Sequence, residues 1–187
     1  RAIALFQEFD RQIDKVGRLS HTLDGWTIVI EPLHGGSEPG TIVRANAGEG
    51  NSLYVVEDEY VYDIALRMYV LLRLHGADVT LTLLSPNHLL RQNQPATDTF
   101  VHEANEVFNS RQINKRNSSS SWPKGGRTAL ANRRAVAAAA FEKADKGKRV
   151  FISLHAENSA QSPVAVTVFY QEKNGRIDTS SRRFAKA

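Results

Sequence analysis

Thr27-Ile28-Val29-Ile30-Glu31-Pro32-Leu33-His34-Gly35-Gly36 reads as a buried strand running into a sharp turn. The β-branched and apolar run makes the strand, 27–31, and Pro32, Gly35 and Gly36 break it. His34 stands in that turn. A glycine-flanked turn at the lip of a sheet holds an imidazole still. A lone histidine in such a place is usually structural, so any functional weight depends on what else reaches the same rim.

Outward from this strand the chain alternates. Residues 1–19 carry Ile3, Phe6, Phe9, Ile13, Val16 and Leu19 at helical spacing with charges between them, which predicts a helix packed on the flank. Residues 20–25 are a polar connection. The Gly-, Pro-, Ser- and Asn-rich stretch 35–50 reads as a long loop at the carboxyl edge of the first strand, with a short extra strand at 52–56. Glu57-Asp58-Glu59 precedes an amphipathic helix over about 59–75, built on Val61, Ile64, Ala65, Met68, Leu71 and Leu72. Three acids suit the positive end of its dipole, and His75-Gly76 closes it. Strands are expected at 79–84, 150–154 and 164–170, and a helix at about 128–145 with Thr128 as its cap. Only Ala156 to Pro163 separates the last two strands, so the final one is expected not to run parallel beside its neighbour. From Asp178, with Ser180 and Ser181, another helix begins. The interruption is 85–126, polar and serine-rich, with Phe100, Val101, Ala104, Val107 and Phe108 as a short helical stripe. A connection this long in a compact domain reads as a lid or a docking insertion. Alternating strands and helices make the fold class α/β, a mostly parallel (mixed) central sheet with helices on both faces.

Composition sets limits. The 187 residues suit one domain with a full core, and 41% hydrophobic with 24% charged residues is ordinary for a globular protein. A net charge of +4 fits contact with an anionic polymer without requiring it. No basic block with interleaved aromatics points to nucleic acid, and no apolar run is long enough to span a bilayer. The sequence has no cysteine, which excludes disulfides, thiolate zinc sites and a cysteine nucleophile. Any metal must be held by His, Asp or Glu. The chain starts at Arg1 rather than Met, which reads as a processed, trimmed or engineered end.

Ligands of open α/β sheets sit beyond the carboxyl ends of the strands. His34 follows the first strand and His155 ends the strand at 150–154. The acidic triplet opens the helix that leads into the next strand, and such a helix begins at that same edge. Two imidazoles and one carboxylate form the ligand set of a zinc site that keeps its fourth position for water. Spacing alone does not choose among Glu57, Asp58 and Glu59. His21, His75, His88 and His102 have no comparable placement and read as surface residues. His102-Glu103 with Glu106 lacks the second histidine of a zinc-protease helix.

Ile30-Glu31-Pro32-Leu33-His34-Gly35-Gly36 with Glu38-Pro39-Gly40 resembles the opening motif of the zinc-dependent N-acetylmuramoyl-L-alanine amidases of bacterial cell walls. Glu57-Asp58-Glu59 followed by Asp63-Ile64-Ala65-Leu66-Arg67 is similar to their second motif, in which the first acid binds zinc; the resemblance thereby selects Glu57. Val79-Thr80-Leu81-Thr82, then Leu130 with Arg133 and the following alanines, fit the next elements. Phe151-Ile152-Ser153-Leu154-His155-Ala156 resembles the third motif, and Phe169-Tyr170 with the Ser-Arg stretch after it also fits. The likeness covers about 26–187. It implies zinc held by His34, Glu57 and His155, and hydrolysis of the bond between N-acetylmuramic acid and L-alanine in peptidoglycan. It also implies an exported protein of the periplasm or cell wall, with 1–22 as a helix or linker and 23–187 as the catalytic domain. The segment 85–126 is then the place for a regulatory protein partner. Glu31 and Leu33 depart from the usual Asp and Gly, and Glu157 stands where Asn or Asp is common. The family's catalytic glutamate comes late; past the last strand only Glu172 and Asp178 are acidic, and neither has the right context. The catalytic domain is therefore expected to be incomplete at its C-terminal end, with its general base unidentified. The alternative is a non-catalytic zinc-containing domain that binds peptidoglycan or regulates its cleavage.

Overall fold

The computed structural model describes residues 1–36, 38–46, 52–86, 106–117, 126–156, 172–173 and 176–186. The chain divides into two compact units, Arg1–Glu157 and Asn158–Ala187.

The first unit is built on β1, Thr27–Pro32, all six of whose residues are buried. Such a strand has no polar face because both of its faces are covered. Helix α1, Ala2–Val16, precedes it. After it come β2, Ile42–Asn46, β3, Ser52–Val56, α2, Glu57–Leu74, and β4, Asp78–Leu81. Then follow β5, Leu83–Ser85, β6, Val107–Phe108, α3, Arg111–Asn117, α4, Gly126–Phe141, and β7, Arg149–Leu154. The central sheet has the order β4-β1-β7 with both pairings parallel. Ile28 and Ile30 of β1 join Val79 and Leu81 of β4, Ala65 and Tyr69 of α2, and Phe6 and Ile13 of α1 in the main core. Phe6 meets the Tyr69 ring edge-on at 5.3 Å between centroids. Arg73 clamps α2 to α1 through Asp10 and Asp14, each at 2.7 Å. A second cluster joins Leu83, Phe108, Ile113, Ala129 and Val136, packing α4 and the 106–117 segment together. The fold is thus α/β with a parallel central sheet and helices around it.

Several local expectations change. The stretch 35–50 contains β2, which pairs antiparallel with β3; the β-branched Ile42-Val43 pair forms a ladder despite its Gly-rich flanks. The strand expected at 79–84 breaks at Thr82. Residues before it pair with β1, whereas β5 turns away to pair antiparallel with β6. Val107 and Phe108 are therefore strand rather than helix, because Phe108 is recruited into the second core, where it is 0% exposed. Phe100, Val101 and Ala104, the expected strand 164–170, His88, His102 and Glu157 all lie outside the described residues. So does most of the 85–126 segment; its described part, 106–117, is anchored in the core. Helix α4 starts at Gly126, so Thr128 lies inside it and does not cap it.

The second unit contains a two-stranded antiparallel hairpin, β8, Glu172–Lys173, with β9, Arg176–Ile177, followed by α5, Thr179–Ala185. Asp178 caps α5, accepting hydrogen bonds from the Ser180 and Ser181 amides at 3.2 and 3.3 Å.

Candidate metal centre

Three elements deliver one side chain each to the carboxyl edge of the sheet. His34 lies just past β1. Glu57 is the first residue of α2, and His155 follows β7 directly. Because β1 and β7 are parallel and in register from Thr27 opposite Arg149 to Pro32 opposite Leu154, they end together. The Leu33 amide continues the ladder by donating to the Leu154 carbonyl at 3.2 Å. Below the rim, buried Glu31 accepts a hydrogen bond from the Ser153 hydroxyl at 2.8 Å, which ties β1 to β7.

His34 Nε2 is 3.3 Å and His155 Nδ1 3.6 Å from Glu57 Oε1. The two rings lie 5.7 Å apart and nearly perpendicular. One ligand atom from each residue can be chosen so that all lie within 4.8 Å of one another. These separations are long for N–H···O hydrogen bonds, which fall near 2.7–3.2 Å. The two distances to Glu57 come close to those of a tetrahedral cage, in which zinc bonds of about 2.0–2.1 Å put neighbouring ligand atoms roughly 3.3–3.4 Å apart. The donor set and its spacing therefore fit a metal ion. Exposure rises from 3% for the Glu57 side chain to 24% for His34 and 49% for His155, so His155 is the most open of the three.

Glu57 is held as an anion. Burial opposes its charge, but Oε2 accepts from the Thr41 amide at 2.8 Å and Oε1 from the Ala156 amide at 3.0 Å. With the nearby His34, these bonds outweigh burial and hold its pKa below the ordinary carboxylate value. The start of α2 adds the positive end of a helix dipole. Asp58 is wholly buried and acts electrostatically on Glu106, and Glu59 is half-buried; only Glu57 of the triplet joins the histidines.

The turn that carries His34 is strained and tightly held. His34 has φ +66°, a left-handed conformation that costs a non-glycine residue about 1–2 kcal/mol. Gly35 and Gly36 follow at φ +129° and +62°. Gly35 N–H donates to the Glu38 carbonyl and Gly36 N–H to the Pro86 carbonyl, both at 2.8 Å. Gly40 closes the turn over the cluster: a Cβ there would stand 2.6 Å from Glu57 Oε2 and 2.7 Å from His34 Cδ2.

Two residues at this turn carried little weight in the sequence. Arg133, 5% exposed, donates from Nη2 to the His34 carbonyl at 2.6 Å and to Glu106 Oε1 at 2.8 Å. Its signal was its place on α4, where Ala129, Arg133, Val136 and Ala137 form the buried stripe: a charge in an apolar stripe needs a partner. Glu106 is buried beside Arg133. Burial pushes its pKa up to about 8, with Asp58 and Glu38 adding to the rise and Arg133 opposing it. Of the other histidines, His21 is exposed beside Asp24, and half-buried His75 closes α2 and bonds Ser20 Oγ at 2.7 Å.

The sequence profile described as N-acetylmuramoyl-L-alanine amidase matches residues 28–187. No curated protein and no solved structure matches the chain.

Proposed function

The chain belongs to the N-acetylmuramoyl-L-alanine amidase family, and from that premise we propose that it is a zinc-dependent hydrolase of the amide joining N-acetylmuramic acid to L-alanine in bacterial peptidoglycan. His34, Glu57 and His155 would hold the ion. The observation that carries this reading is their meeting, with ligand atoms within 4.8 Å of one another, on the rim where α/β sheets bind ligands.

Held by these three residues, zinc would supply Lewis-acid chemistry that brings the pKa of water from 15.7 toward about 7 and polarises a carbonyl. The chain's own residues supply the rest of the arrangement. The Thr41 and Ala156 amides keep Glu57 ionised and fix which of its oxygens faces the rings. His155, the most exposed of the three, borders the side from which substrate enters. The proton of the attacking water needs an acceptor, the role of a general base. Asp178 is engaged as the cap of α5, which argues against it. The substrate places the protein's work in the periplasm or cell wall. Among the described residues no helix is long and apolar enough to cross a membrane.

The test is incubation of the chain with zinc and purified sacculi, followed by mass spectrometry of the soluble products. Stem peptides with a free L-alanine amino group are expected. Chelation and the His155→Ala variant abolish their release. Zinc-dependent sacculus binding without release would overturn the hydrolytic reading in favour of a non-catalytic peptidoglycan-binding domain.

A further inference from the structure

The His34 turn is anchored from places that lie far away in sequence. Gly35 is held by the nearby Glu38 carbonyl and Gly36 by the distant Pro86 carbonyl, but the His34 carbonyl itself is held by Arg133 on α4. A single nitrogen, Nη2, carries both this bond and the one to Glu106. Glu106 is itself pressed against the turn, since a Cβ on Gly35 would meet its Oε1 at 3.0 Å. Among the described residues, Arg133 Nε and Glu106 Oε2 have no hydrogen-bond partner. Among the described residues, the contacts that place the guanidinium are the two at Nη2, without a bidentate fork to Glu106.

The consequence follows from the backbone. A residue at φ +66° is not held there by its own preferences. It persists only where surrounding contacts over-determine it. The peptide whose oxygen Arg133 grips follows the His34 Cα, so its orientation sets where the imidazole leaves the chain. Metal ligands must keep their places to within about 0.2 Å. We propose that Arg133, backed by Glu106, is a positioning residue of the metal centre: it clamps the His34 peptide in the left-handed conformation that aims the ring at Glu57 and His155. This rests on the reading of the cluster as a metal site. The arginine touches neither metal nor substrate. Its role is that of an outer-shell partner, whose loss typically weakens metal binding 10–100-fold.

The experiment compares the wild-type chain with Arg133→Met/Glu106→Leu, which removes both members of the buried pair. Removing one alone would strand a buried charge and confuse folding with positioning. Three quantities are read: melting temperature of the metal-free protein, zinc affinity by chelator competition, and the visible spectrum of the cobalt-loaded protein. The expected result is a metal-free chain that still melts cooperatively, zinc affinity lowered roughly 10–100-fold, and a changed cobalt spectrum. A folded double variant with zinc affinity within about threefold of wild type and an unchanged cobalt spectrum would overturn the proposal. If the apolar pair does not fold, Arg133→Gln/Glu106→Gln is read by the same criteria. A wild-type chain that binds no zinc refutes this inference together with the metal-site reading. Tight zinc binding without release of stem peptides defeats only the hydrolytic activity and leaves the clamp standing.

Discussion

Alanine at Gly40 and alanine at Gly17 impose the same backbone strain and differ in what the new methyl meets. The two glycines have φ +77° and +78°. In that region a Cβ costs about 1–2 kcal/mol whatever its surroundings. At Gly17, the C-cap of α1, nothing lies within 4 Å of the added carbon, so strain is the whole effect. For a chain of this size it lowers the melting temperature by roughly 2–8 °C. At Gly40 the methyl would stand 2.6 Å from Glu57 Oε2, 2.7 Å from His34 Cδ2 and 2.9 Å from Glu57 Cβ. Ordinary contact begins near 3.4 Å, so atoms of two proposed ligands or the loop must give by about 0.7–0.8 Å. A metal cage tolerates about 0.2 Å. Gly40→Ala is therefore expected to lower zinc affinity by more than about 100-fold, beyond the range of outer-shell substitutions. Gly17→Ala leaves zinc affinity at the wild-type value. The assay is zinc titration against a fluorescent chelator, with thermal melts of both metal-free variants as the control on folding. Equal zinc affinities for the two variants would show that the loop yields without disturbing Glu57 or His34, and would refute the argument that Gly40 sets the shape of the cluster.

Three further outcomes are expected. Glu57→Gln abolishes zinc binding and faces the Thr41 or Ala156 amide with an NH2 group, at a cost of about 1–3 kcal/mol in unfolding free energy. Because the folded-state pKa of Glu57 lies below its ordinary value of 4.5, its stabilisation is present above that value and lost as pH falls through the lowered one; acid titration of the metal-free wild type and variant, followed by circular dichroism, reads the missing limb. Glu106 has the opposite sign. Its carboxyl, raised from 4.5 to about 8, contributes stability that is full below 4.5 and lost as pH rises through about 8. Glu106→Gln should flatten that decline in urea midpoints collected from about pH 5 to about pH 9, and an unchanged slope would count against the assignment. Phe6→Ala removes the ring that meets Tyr69 in the main core and should cost about 3 kcal/mol by urea unfolding. Zinc affinity should stay as in the wild type, because α1 supplies none of the three clustered residues.

Much of the fold was legible because it depends on patterns short enough to read. The apolar run at 27–30 is a strand with no polar face, and the helix behind Glu57 repeats its apolar residues on one side. Parallel strands then require that His34, His155 and the start of that helix share an edge, so their convergence is a consequence of topology. Local composition misleads at positions whose partners are distant. Val107 and Phe108 follow helical spacing, yet Leu83 and Ser85 pair with them as a strand. Ile42 and Val43 sit amid glycines, yet Val55 and Val56 recruit them.

The order of residue types along the chain by itself determined the α/β class and the convergence of His34, His155 and the acidic triplet on one rim, which follow from periodicity and chain direction, while the motifs carried the family likeness that selects Glu57. Only the tertiary structure decided how the Glu57 carboxylate is held between the Thr41 and Ala156 amides, how closely Gly40 covers it and His34, and that Arg133 and Glu106 grip the turn beneath His34. Those contacts join segments up to 99 residues apart. The physical reason is that a hydrogen bond or a steric contact acts over a few ångströms of space, and a pattern in sequence says which side of an element is buried without saying which atoms it will touch there.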